Sequence, residues 1–165
     1  MICSPRSSKF LIARSILVWH SQNHDVKPNL ADMLRPSMQT LKHIVVKIYN
    51  VVDVDVDPLF GIPSDFEDMC TENIIETVTI MVRMDARCRQ RDDWGRLDEV
   101  LTTPGWFSLK RFSLIIEISN YFKSGNELEV ALRKLPETQF PRLSLCNSVA
   151  FYFNVYPIVP MMIDY

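Results

Sequence analysis

Apolar residues along this chain follow two spacings in turn, one helical and one strand-like. Three segments share the order: "LADMLRPSMQTLKHIVVKI" (Leu30 to Ile48), "LDEVLTTPGWFSLKRFSLIIEI" (Leu97 to Ile118) and "LEVALRKLPETQFPRLSL" (Leu128 to Leu145). Each opens on Leu-xxx-Leu, which places two apolar side chains on one helix face. A proline then halts the helix, and a polar turn and another leucine follow. Beyond the turn, "LKHIVVKIY" and "LKRFSLIIEI" are rich in β-branched and aromatic residues and short for a helix, so they predict strands. A fourth segment, "FEDMCTENIIETVTIMV", carries Phe66 and Cys70 at the same spacing and then the strand-like "IIETVTIMV".

Leu41, Ile75, Leu109 and Leu143 open the post-turn runs at successive intervals of 34 residues. Tetratricopeptide repeats share that period but need two helices per unit, and here Pro36, Pro104 and Pro141 fall where a second helix would form. The pattern instead predicts an α/β fold: a leucine-rich-repeat-like solenoid fragment of about four strand-plus-short-helix units with a parallel sheet, each unit longer than the usual repeat of about 20–29 residues. In the last unit "CNS" intervenes before the apolar run "VAFYFNV", so its strand starts later. The chain divides into an irregular N-terminal strand region (1–28), repeat units (29–155) and an apolar tail (156–165), forming a single repeat domain over 1–165. Leu97, Leu101, Leu109, Phe112 and Leu114 are expected in the core, with Trp106 as a packing residue. Lys42, Lys47, Glu76, Thr79, Arg111 and Glu117 are candidates for exposed strand positions.

Composition adds that the chain can bury a core: 165 residues, 47% of them hydrophobic and 23% charged, are ample for one domain. The net charge of −2 supplies no overall field for nucleic acid or anionic lipid. Cys3, Cys70, Cys88 and Cys146 form no CxxC pair, which argues for reduced thiols in a cytoplasmic or nuclear protein. "KFLIARSILVW" is interrupted by Arg14 and is too short to cross a bilayer, while the Ser-rich, basic start has the composition of a mitochondrial presequence as an alternative.

Chemistry-bearing motifs are sparse. The alternating Asp53, Asp55 and Asp57 resemble the start of a calcium loop, but Pro58 and Ser64 stand where that loop needs Gly and Glu. His20 and His24 have i, i+4 spacing without the Glu of HExxH, so no metal site is assigned. With four glycines in all, no phosphate-cradling loop or GxSxG elbow is present, and no cofactor or catalytic residue is assigned; a dispersed set such as Cys70 or Cys88 with His43 is the enzymatic alternative. Arg83, Arg87, Arg89, Arg91 and Arg96 are interleaved with Asp85, Asp92 and Asp93, a pattern of internal pairing more than of nucleic-acid recognition. Inter-unit loops are where solenoids place specific contacts, so Asp53, Asp55, Asp57, Arg87, Arg89, Arg91 and Trp94 are the candidate partner-contact residues, with Trp94 able either to cap the core or to anchor a partner.

In "LRPSMQTLKHIVVKIYN", "WGRLDEVLTTPGWFSLKRFSLIIEI" and "ELEVALRKLPETQFPRLS" the chain resembles the leucine-rich-repeat-like C-terminal regions of mushroom-type fungal F-box family proteins, over about Asn29 to Val155. That resemblance implies a substrate-recognition module of a ubiquitin-ligase receptor, here without an F-box ahead of the repeats. The expected function is non-enzymatic protein–protein interaction with an unidentified protein partner. The alternatives are a truncated fragment without independent function, self-associating through uncapped solenoid ends, or a small metal-binding hydrolase using His20 and His24.

Overall fold

A computed structural model describes residues 11–13, 16–21, 29–51, 57–71, 73–85, 93–119 and 121–158. Among these residues six strands form one sheet in the order of the sequence: β1 (Leu11–Ala13), β2 (Ile16–Ser21), β3 (His43–Val51), β4 (Thr77–Asp85), β5 (Arg111–Ser119) and β6 (Ala150–Pro157). β1 runs antiparallel to β2, and β2 through β6 are mutually parallel. Parallel neighbours cannot be joined by a tight turn, so each connection must travel back along the sheet. Helices make those returns: α1 (Leu30–Leu34), α2 (Ile62–Met69), α3 (Asp93–Leu101), and the trio α4 (Tyr121–Arg133), α5 (Leu135–Thr138) and α6 (Pro141–Leu145). The α/β class and parallel sheet expected from the sequence are what the chain adopts.

The 34-residue spacing has a direct structural meaning. His43 lies opposite Thr77 and Thr77 opposite Arg111, so Leu41, Ile75 and Leu109 each sit two residues ahead of a strand, all buried. Lys42, Glu76 and Lys110 then repeat one set of backbone bonds: the Glu76 and Thr77 amides donate to the Lys42 carbonyl, and those of Lys110 and Arg111 donate to that of Glu76. The last step departs from the period. Arg111 pairs with Ala150, and Leu143, although buried, belongs to α6 and opens no strand. The prolines also do more than halt helices. Pro36 and Pro104 start 3-10 turns, and Pro63, Pro136 and Pro141 start helices, at positions where the missing N–H costs nothing.

One face of the sheet is the floor of the core. Ile44, Val46 and Ile48 of β3, Val78, Ile80, Val82 and Met84 of β4, and Phe112, Leu114, Ile116 and Ile118 of β5 are all buried there. Helix residues Leu30, Leu34, Ile62, Phe66, Met69, Leu97, Leu101 and Leu132 close over them. The longer last crossing is filled with aromatic rings: Phe112 stacks on Phe151 at 5.6 Å, and Phe140 lies 6.1 Å from Phe112 and 5.5 Å from Phe151. Trp106 packs on Phe66 at 5.3 Å, the packing role expected of it.

Polar brackets tie neighbouring units together beneath this surface. Buried Asn73 donates to the Met69 and Gly105 carbonyls and accepts from the Ile75 amide, so one side chain joins α2, the approach to β4 and the next unit's turn. Asp98 of α3 accepts from the backbone amides of Arg142 and Leu143, at 3.0 and 2.8 Å, holding the start of α6. Burial pushes the Asp98 carboxyl up from its ordinary value, and those two amides oppose the rise. Gly105 is needed where this turn meets the previous unit. A Cβ there would lie 2.7 Å from the Cys70 Cβ and closer still to the Cys70 carbonyl oxygen.

The β6 edge is partly closed. Ala150 and Ile158 donate inward to Lys110 and Ile118, so the alternate residues of β6 direct their backbone groups outward. Of these, Val155 has its N–H bound by the Asn154 side chain at 2.9 Å and its carbonyl by Arg133 at 3.3 Å, while Pro157 has no N–H. Arg133 is itself steered by Glu129 at 2.6 Å. This half of the edge is therefore not the open template expected of an uncapped solenoid end.

Two outcomes follow. Gly105→Ala should lower unfolding stability by about 1–3 kcal/mol in a denaturant titration, because the crowding atoms are backbone and cannot swing away. Arg133→Ala should bare the Val155 carbonyl and raise concentration-dependent self-association in sedimentation velocity relative to the parent chain, without moving the thermal midpoint by more than a few degrees.

Candidate interaction surface

Strand side chains alternate between faces, so burying one set of β3–β6 residues presents the other set on the opposite face. Among the described residues no helix packs there. Its rungs are His43, Thr77, Arg111 and Ala150; then Val45, Thr79, Ser113 and Tyr152; then Lys47, Met81, Ile115 and Asn154; and Arg83, Glu117 and Tyr156, with Tyr49 alongside. Most are half-buried or exposed.

Charges and rings on this open face are arranged into contacts. Arg83 reaches Glu117 on the adjacent strand at 2.7 Å, and its guanidinium lies 5.3 Å from the centre of the Tyr49 ring. Asn154 donates to the Tyr156 hydroxyl at 2.7 Å and to that of Tyr152 at 3.3 Å. Its orientation is fixed because its carbonyl oxygen accepts from the Val155 amide. These hydrogen bonds hold the Tyr152 phenol below its ordinary pKa, while the neighbouring Tyr152 pushes Tyr156 up.

Of the expected exposed strand positions, Lys47, Thr79, Arg111 and Glu117 lie on this face. Lys42 and Glu76 do not. They precede their strands and form with Lys110 a row along the N-terminal rim, where Glu76 binds Lys42 at 2.9 Å and Lys110 at 2.8 Å. Hydrogen bonds from Lys110 and then Lys42 lower the Glu76 carboxyl to about 2. Beside this row a cleft of about 670 Å³ is lined by residues that include Trp106, Leu109, Lys110, Cys146 and Ser148. The Ser148 hydroxyl, 3.1 Å from the Cys146 sulfur, holds that thiol below its ordinary pKa.

The loop residues expected to contact a partner fare differently. Asp53, Asp55, Arg87, Arg89 and Arg91 lie outside the described residues, as does His24. Asp57 is buried and accepts from the Leu59 amide at 2.7 Å, so it shapes the turn into α2 and offers no surface. Trp94 is fully buried in α3, 6.5 Å from Phe140 in an edge-to-face arrangement, and so caps the core instead of anchoring a partner. Its charged neighbours in the sequence disguised a helix start as a loop. The Tyr152, Asn154 and Tyr156 stripe was hidden inside what looked like an apolar run. Strict alternation of those residues with Phe151, Phe153 and Val155 was the signal.

His20 lies on β2 and His43 on β3, while Cys70 and Cys146 are free thiols. Among the described residues no group of three His, Cys, Asp or Glu side chains could hold a metal ion, and no helix is long and apolar enough to cross a membrane. Fold and surface together define the class as an α/β chain with a mainly parallel sheet, helix-covered on one face and, among the described residues, without a helix on the other. Comparison with protein-family models, with characterised proteins and with solved structures finds no match.

The Glu76 row makes a pH statement. A carboxyl whose pKa falls on folding contributes stability that is present above its ordinary value of 4.5 and is lost as pH drops toward about 2. Carbon-13 NMR titration should place Glu76 near 2. Lys110→Met should move it back toward 4.5, further than Lys42→Met does.

Proposed function

We propose that this chain is a leucine-rich-repeat-like α/β solenoid acting as a non-enzymatic protein-interaction module, the substrate-recognition kind that F-box-type receptors carry. The observation that supports this reading is the open face, where Tyr49, Arg83, Tyr152 and Tyr156 stand on a sheet whose reverse is locked to helices. Tyr and Arg are the residues that most often dominate binding energy at protein interfaces. A rigid sheet holds them with little ordering cost when a partner arrives. Half-buried, ion-paired Arg83 is pre-set at its site by Glu117 and Tyr49. The free thiols of Cys70 and Cys146 accord with a reducing compartment, cytoplasmic or nuclear.

The test is affinity capture followed by hydrogen-exchange mapping. A partner recovered by the parent chain should protect β4–β6 amides, and Arg83→Ser or Tyr156→Ser should weaken its binding about tenfold or more. Arg96→Ser, on the helix side where Arg96 pairs with Glu67, should leave it unchanged. Retention by both open-face variants together with loss by the helix-side variant would move the interface to the other side of the molecule.

A further inference from the structure

We infer that the open face takes an acidic peptide segment, one carboxylate of which is received by Arg111 and the Tyr152 hydroxyl. This rests on the interaction-module reading and names the chemistry of its partner. The first observation is a count of donors. Asn154 must give its amide hydrogens to both phenol oxygens, because its own oxygen is taken by the Val155 amide. Each phenol therefore has an acceptor site filled while its O–H hydrogen remains. At most one of those two hydrogens can be spent between the two phenols, so at least one is left to donate outward. Both rings are more than two-fifths exposed, Tyr152 at 48% and Tyr156 at 44%, so a ligand can reach them.

The second observation is charge. On the described open face Glu117 is occupied by Arg83, and Asp85 is buried. Arg111 is exposed and Lys47 half-exposed, and among the described residues neither forms an ion pair. Arg111 lies opposite Ala150, one rung from Tyr152, because Ser113 is the residue opposite Tyr152. A guanidinium and a phenol donor on the same face, one rung apart, match a carboxylate, which offers acceptors only. Lys47 lies two strands away across the same sheet, where a second acidic residue of an extended segment crossing the strands would meet it.

The experiment uses the full chain, nitrogen-15 labelled, titrated at low and moderate salt with a short peptide alternating Glu and Thr, and with its counterpart carrying Gln for Glu. The Glu peptide should shift the Arg111 Nε–H and Asn154 side-chain amide resonances saturably, and the Gln peptide should bind about tenfold more weakly or not at all. Arg111→Gln should weaken the Glu peptide about tenfold and Tyr152→Phe severalfold, with Arg142→Gln, which alters a helix-side pair with Glu99, leaving it unchanged. Equal binding of both peptides, absence of binding, or indifference to Arg111→Gln overturns the inference. A natural partner that depends on the open face yet ignores Arg111→Gln would remove this inference and leave the interaction module standing. A partner indifferent to every open-face variant would remove this inference and the open face as the interface, and reproducible failure to recover any partner would remove the interaction module itself.

Discussion

Parallel pairing of β2 through β6 is the constraint on which the rest of this structure depends. A strand that must lie beside its predecessor, pointing the same way, obliges the chain to travel back along the sheet first. That return buries its apolar stripe against the sheet because it has nowhere else to hide it. The 34-residue interval between β3, β4 and β5 is the length of one such circuit: strand, turn, short helix, proline-started turn. Repetition of the circuit brings equivalent positions into lateral rows, of which Lys42, Glu76 and Lys110, alternating in charge, are the clearest.

Burial alone does not set the register between circuits. Short helices of five to nine residues, such as α1, α2 and α3, are weak units on their own. Asn73 and Asp98 tie one circuit to the next through backbone groups, and Gly105 lets the turn of one circuit approach the backbone of its neighbour. Such buried hydrogen bonds act on specificity as much as on stability, since a shifted register would strand each of those polar groups. The last circuit is longer. Its extra residues form α4, α5 and α6; Phe140, between α5 and α6, extends the aromatic core, and Arg133 at the end of α4 reaches the sheet edge.

The same division creates the open face. Once helices cover one side of the sheet, alternation alone delivers Arg83, Glu117 and the tyrosines to the other. Their local arrangement depends on single hydrogen bonds: the Val155 amide sets the Asn154 side chain, and Asn154 sets both phenols. One side chain thus serves two ends, quieting an edge amide and orienting a surface.

By itself the sequence determined the α/β class, the strands β3 to β6 and most of the core. β-Branched runs bounded by proline turns have few other ways to bury themselves, and Leu97, Leu101, Leu109, Phe112 and Leu114 are buried as expected. It misled where a charged neighbourhood surrounded an inward-facing residue, as at Trp94 and Asp57, because local polarity says nothing about which way one side chain points. It misled again at Leu143, where the interval persisted although the residue had passed from a strand approach into α6. Tertiary structure alone decided which strand face the helices cover, how Asn73 and Asp98 bridge distant segments, and that Arg111 and Tyr152 share one surface. Those relations join residues tens of positions apart, and their geometry comes into being only when the strands are laid side by side.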